Sequence, residues 1–163
     1  MKRVLLFGYS GHGKTTFLNR LDQGAFTTQH RPFGSAVVRT LHGIEWIDYP
    51  GLGIYSLKHS AGTGVLGRID AIVLVYLLGS PTKARAKQVK ALETLVREAF
   101  GSEVPVMAIG TASDVRHRPA KDTALPSIAV SSKTGHNMEQ ALELVRQVSG
   151  SHRYNLRPRP HRN

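Results

Sequence analysis

Val4-Leu5-Leu6-Phe7-Gly8-Tyr9-Ser10-Gly11-His12-Gly13-Lys14-Thr15 is the stretch that decides how this chain folds. Val4 to Phe7 is a continuous apolar run, which suits a parallel strand buried on both faces. It stops at Gly8, and Lys14 to Asp22 reads as a helix burying Phe17, Leu18 and Leu21. Gly8 to Thr15 between them fits G-x-x-x-x-G-K-[ST], the spacing of a phosphate-binding loop. Glycines let the backbone wrap around phosphate oxygens with its N–H groups pointing inward, and the helix N-terminus adds partial positive charge there. Lys14 supplies a cation to β- and γ-phosphates, and the Thr15 hydroxyl is positioned to bind Mg²⁺. A loop of this kind serves GTPases, ATPases and small-molecule kinases alike.

Working outward, Gly24 to Gly34 is polar, contains Pro32 and reads as a loop. Ala36 to Leu41 and Ile44 to Asp48 are strand-like runs around His42-Gly43, which predicts a hairpin. Gly51 to Gly67 is glycine-rich with weak helical period, which predicts a mobile loop with one short helix. Ile69 to Leu78 reads as a second buried strand. Ser80-Pro81 reads as a cap followed by a first-turn proline. The helix it opens runs to Phe100, burying Val89, Leu92, Val96 and Ala99 with Lys and Arg outside. Val104 to Ile109 and Ile128 to Val130 are further strands, and Asn137 to Val148 is an amphipathic helix. Strands alternating with helices imply an α/β fold with a mostly parallel sheet covered on both faces, and the hairpin adds one antiparallel edge strand. Residues 1–150 read as one domain. Residues 151–163 carry Arg153, Arg157, Arg159 and Arg162 with no core pattern, and are expected to be a disordered basic tail.

Asp48-Tyr49-Pro50-Gly51 follows the third strand directly, and here the sequence resembles the Ras-like superclass of P-loop GTPases. The family's D-x-x-G places an Asp near Mg²⁺ through water and a Gly N–H near the γ-phosphate, roles implied for Asp48 and Gly51. Ile47-Asp48-Tyr49-Pro50-Gly51-Leu52 is most similar to the bacterial Era-type branch, with Tyr49 in place of the usual Thr. Thr111-Ala112-Ser113-Asp114 resembles [NT]-K-x-D, whose Asp accepts two hydrogen bonds from the guanine N1 and N2 edge; Ala112 lacks the lysine stem that covers the base. Val130-Ser131-Ser132-Lys133-Thr134-Gly135 resembles the S-A-K motif, putting the Ser132 N–H on guanine O6 and Lys133 beside the base. The motifs stand in the family's order over residues 2 to 149.

The resemblance implies a three-layer Ras-like P-loop NTPase fold that binds GTP and GDP with Mg²⁺. Nucleotide contacts are implied for Gly8, Ser10, Gly11, His12, Gly13, Lys14, Thr15, Thr16, Thr111, Asp114, Ser131, Ser132 and Lys133. Catalysis is implied for Lys14, Thr15 and Gly51, and metal binding for Thr15, Asp48 and a switch hydroxyl, Thr28 or Ser35 in its place. The Asp114–Ser131 connection is short and holds Pro119 and Pro126, so the family's helix there is expected to be reduced or absent. Leu52 stands where Ras-type proteins place the glutamine that orients water, which predicts slow hydrolysis without a partner. Gly11 stands where some relatives use an asparagine to hold K⁺, so K⁺ activation is not expected. His30 and Arg31, near the first switch, read as surface residues. Stand-alone size and motif layout also resemble the small GTPases of ethanolamine and propanediol utilisation.

Composition narrows the alternatives. At 163 residues the chain is long enough for one cored domain. The absence of cysteine excludes disulfides, thiolate metal sites and cysteine nucleophiles. No apolar run approaches the roughly 20 residues of a membrane span, and a soluble, cytoplasmic chain is expected. A net charge of +11 favours acidic partners: RNA, an anionic membrane or an acidic protein. A slow GTPase switch with an effector or activating protein is the leading reading. The alternatives are a nucleotide-binding module whose basic surface or tail binds RNA or an acidic partner, and a nucleotide or small-molecule kinase. Oligomeric state is not set by the sequence.

Overall fold

A computed structural model describes residues 1–23, 36–50, 56–112 and 123–151. The strands are β1 (Lys2–Phe7), β2 (Val37–Leu41), β3 (Ile44–Asp48), β4 (Ala71–Leu77), β5 (Val106–Thr111) and β6 (Ser127–Ala129). The helices are α1 (Lys14–Gln23), α2 (Leu57–Gly62), α3 (Thr82–Phe100) and α4 (Met138–Ser151). The strands form one sheet in the order β2-β3-β1-β4-β5-β6, parallel except for the β2–β3 pair.

The alternation of side chains along each strand builds two cores from one sheet. Leu5 and Phe7, Ile72, Leu74 and Tyr76, and Ala108 point to one face, where Leu57 of α2 and Val89, Leu92 and Val96 of α3 cover them. Val4 and Leu6, Ala71, Val73 and Val75, and Met107 and Ile109 point to the other. There Phe17 and Leu18 of α1 and Met138, Ala141, Leu142 and Val145 of α4 close the second layer. Phe17 meets Trp46 edge-on with ring centroids 6.0 Å apart. The hairpin turns at His42 (φ 53°) and Gly43 (φ 74°), the two left-handed residues that match the twist of antiparallel strands.

Several boundaries differ from the sequence reading. Pro81 is the cap residue itself (φ −55°, ψ 147°), and Thr82 opens α3 without a side-chain cap; the Pro81 carbonyl accepts the Arg85 N–H at 2.9 Å. Arg85 is not outside: it is buried, and its guanidinium donates to the Leu78 carbonyl at 2.9 Å. β5 starts two residues late because the Val104 carbonyl is taken by Arg97 (2.8 Å) and Pro105 has no N–H to give. α4 continues past Val148 to Ser151, β6 ends at Ala129, and β4 leaves Ile69 and Leu78 as buried flanks. The short helix expected within Gly51–Gly67 is α2. Ser151, read as the start of the tail, closes α4; the rest of the tail, the Gly24–Gly34 loop and most of the Asp114–Ser131 connection lie outside the described residues, and residues 123–126 carry no helix. Among the described residues, no helix is long and apolar enough to cross a membrane.

Phe17 is fully buried between α1 and the sheet. Phe17→Ala is expected to cost about 3–5 kcal/mol of stability, read by denaturant unfolding through the emission of Trp46, the one tryptophan.

Candidate functional site

β1 lies between β3 and β4: the chain leaves it for β2 and β3 on one side, then crosses from β3 to β4 on the other, so the order reverses at β1. In open α/β sheets the crevice at the carboxyl ends of such strands takes ligands. Gly8 to Gly13 occupy that point. A side chain at Gly8 would put its Cβ 2.4 Å from the Val75 carbonyl oxygen, so only glycine lets the backbone run directly over β4. Gly13 adopts φ 91°, a left-handed conformation that turns the chain into α1, whose first bond runs from the Phe17 N–H to the Gly13 carbonyl at 2.9 Å.

Lys14 is folded back under this loop. Its Nζ donates to the Gly8 carbonyl at 2.8 Å and the Tyr9 carbonyl at 3.1 Å, and the side chain is buried. Burial pushes its pKa down, and the Asp48 carboxylate partly offsets that. Beside it the Thr15 hydroxyl donates to Asp48 Oδ2 at 2.6 Å. Register explains the meeting: Leu6 pairs with Asp48 across β1 and β3, so the end of β3 emerges next to the start of α1. Two oxygen donors at one point form a hard donor set, suited to a Mg²⁺ ion that takes its other ligands from phosphate and water. Among the described residues, no group of three or more His, Asp or Glu is gathered for a metal.

Thr111, at the end of β5, is buried, and its hydroxyl lies 2.7 Å from the His12 carbonyl and 3.1 Å from that of Tyr76. It ties the loop to the sheet. Ala112 follows at φ 63°, left-handed backbone without glycine's freedom. The Val130 N–H donates to the Gly110 carbonyl at 2.8 Å, so Ser131 and Ser132 leave β6 beside Thr111. Ser131 is fully buried, and its Oγ accepts the Thr134 N–H at 3.1 Å; Lys133 is exposed. Ser10 and Gly11 are exposed, and Thr16 is half-buried. Thr28, His30, Arg31, Ser35, Gly51, Leu52 and Asp114 lie outside the described residues.

Two features escaped sequence reasoning. Tyr49, read only as a replacement for threonine, is buried, packs on Phe7 at 5.8 Å, and places its hydroxyl 3.0 Å from both Ser56 Oγ and Ser60 Oγ. It fastens the end of β3 to the first turns of α2. A serine four residues ahead of another in a segment of weak helical period was the available signal. His12 buries its Nδ1 with no hydrogen-bond partner and meets Tyr9 edge-on at 5.6 Å. Burial lowers its pKa, and the nearby Lys14 ammonium lowers it further.

Compared with known proteins, residues 3–110 match the family model described as 50S ribosome-binding GTPase. That span holds β1, the glycine loop, the Thr15–Asp48 pair and β4, and ends at Gly110 in β5. No curated protein matches the chain.

Gly8→Ala is expected to cost about 1–3 kcal/mol, because the colliding atom is backbone that cannot rotate away; thermal unfolding checks this. His12 makes stability depend on pH. Below about pH 6.5 the unfolded chain takes up a proton that the buried ring resists. Stability is therefore kept above that value and lost as pH falls through the lowered folded pKa. His12→Val should flatten the melting midpoint between pH 7 and 5; an unchanged slope would refute the assignment.

Proposed function

The chain belongs to the GTPase family described as 50S ribosome-binding, and from that premise we propose that it is a Mg²⁺-dependent molecular switch that hydrolyses GTP slowly. The observation that carries the reading is the meeting of three groups at one point: the Lys14 ammonium under the glycine loop, the Thr15 hydroxyl and the Asp48 carboxylate. The reading takes residues 1–150 as one G domain with a basic tail beyond, and extends the family's chemistry to residues after Gly110.

On this reading each residue has a separable task. Backbone N–H groups of the Gly8–Thr15 loop and the N-terminus of α1 receive the phosphates. Lys14 exchanges its carbonyl partners for β- and γ-phosphate oxygens, so its lowered pKa matters little, because bound phosphate restores the preference for the charged form. Thr15 and Asp48 hold the metal, directly and through water, and Thr28 or Ser35 completes the set when the γ-phosphate is present. Mg²⁺, when bound, neutralises charge on the β- and γ-phosphate oxygens. Asp114 reads the guanine N1 and N2 edge, while the Ser132 N–H and Lys133 serve O6 and the base. Thr111 acts from behind by fixing the His12 carbonyl. Leu52 has no hydrogen-bonding group with which to orient water, so an activating partner supplies that step. A protein effector reads the switch segments.

Purified protein should bind labelled GTP and GDP, but not ATP, in a Mg²⁺-dependent manner. Lys14→Ala should abolish binding, Asp48→Asn and Thr15→Ala should remove the Mg²⁺ dependence, and Asp114→Ala should remove the preference for guanine. Unaided turnover should lie on the order of 10⁻⁴–10⁻² per second; a rate of tens per second would overturn the reading of Leu52.

A further inference from the structure

α3 has two unlike sides. Arg85, Val89, Leu92 and Val96 are buried against the sheet, while Lys83, Lys87 and Lys90 are exposed on the opposite side. Spaced i, i+4, i+7, these lysines form a row about 10 Å long on one face. None of them pairs with a carboxylate among the described residues. The helix has no acidic residue before Glu93, and its first turn carries none. Cations in the opening turns oppose the helix dipole, so this arrangement works against the helix's own stability. α2 packs beside α3 and exposes Lys58 and His59. The exposed face points away from the sheet.

The chemistry of the face selects among anionic partners. Large exposed apolar residues among those described are Met1, Val38 and Val65, and none lies on α3. An interfacial helix needs apolar side chains to sink between lipids, and a protein interface draws its energy from aromatic or arginine anchors in a dry centre. Beyond Lys90 the exposed face continues with Ala91 and Thr94 instead. A cationic row without an apolar anchor fits a partner bound by charge neutralisation and counterion release. We infer that the outer face of α3, through Lys83, Lys87 and Lys90, binds the sugar-phosphate backbone of a nucleic-acid strand without reading its bases. The row faces about three phosphates of one strand. This inference goes beyond the nucleotide switch and stands whether or not GTP is hydrolysed.

The full-length chain is compared with K83Q/K87Q/K90Q by fluorescence anisotropy, using labelled RNA and DNA strands of one sequence across a salt series. Loss of three phosphate contacts should reduce the slope of log K against log salt by about 2. Affinity at low salt should weaken at least tenfold, with GDP binding unchanged and the melting temperature not lowered, since the lost charges opposed the helix dipole. A second variant, Lys2→Gln with Arg68→Gln and Arg146→Gln, removes equal charge elsewhere and should leave the slope intact. The RNA and DNA arms show which strand carries the effect. Equal falls in both triple variants would mean net charge alone and overturn the inference. So would an unchanged slope in the α3 variant, or a loss confined to binding of vesicles containing anionic lipid.

Discussion

The site depends on one close approach: the backbone of the glycine loop lies directly on the ends of β4 and β5. Gly8 has no room for a Cβ against Val75, and the Thr111 hydroxyl reaches across to the His12 carbonyl. These contacts fix the loop from beneath, so Lys14 and the start of α1 inherit their positions from the sheet. The end of β3 is set by the same strand, because β1 pairs with β3 on one side and β4 on the other. Thr15 and Asp48, 33 residues apart in sequence, therefore meet at 2.6 Å without a dedicated scaffold.

A second coupling runs outward from that contact. The Leu78 N–H donates to the Thr111 carbonyl at 3.1 Å, and the Leu78 carbonyl accepts the buried Arg85 guanidinium. α3 is thus joined through two backbone groups to the residue that holds the loop. Burying a guanidinium is costly unless its donors are met, and the Leu78 carbonyl meets one of them. Arg85 is thereby held inward while Lys83, Lys87 and Lys90 of the same helix stay exposed.

The element pattern was legible because its signals are periodic. Val4–Phe7 and Ala71–Leu77 are continuous apolar runs, and Val89, Leu92 and Val96 repeat at helical spacing; each leads to one arrangement. His42-Gly43 marked its turn through the backbone freedom such hairpins require. Ends were less legible, since β5 begins only after a carbonyl that Arg97 of the preceding helix takes, and no strand pattern reports that. In the site, Lys14 and Thr15 are picked out by the loop's spacing and Asp48 by the resemblance to the family's D-x-x-G; only the fold reveals that the Thr15 and Asp48 side chains meet. The anchoring by Tyr49 could not be read, because it depends on hydroxyls of Ser56 and Ser60 that only the fold brings together. The orphaned nitrogen of His12 was hidden for the same reason: a loop position says nothing about what lies beneath it.

The central place of β1 also shapes how the chain comes to be folded. Its six residues are synthesised before those of the other described strands, and their partners are Ile44–Asp48 and Ala71–Leu77. At about 5–20 residues per second, an emerging chain takes roughly 4–14 seconds to deliver the second of those partners. Until Ile44–Asp48 has emerged, Val4 to Phe7, fully buried in the finished protein, have no strand to pair with, and their other edge stays open until Ala71–Leu77 follows. The β2–β3 hairpin can close locally in microseconds, whereas the segment that defines the site waits longest. Protection of a nascent strand, by the exit tunnel or by a chaperone, is therefore a demand that this topology places on the cell before any nucleotide is bound.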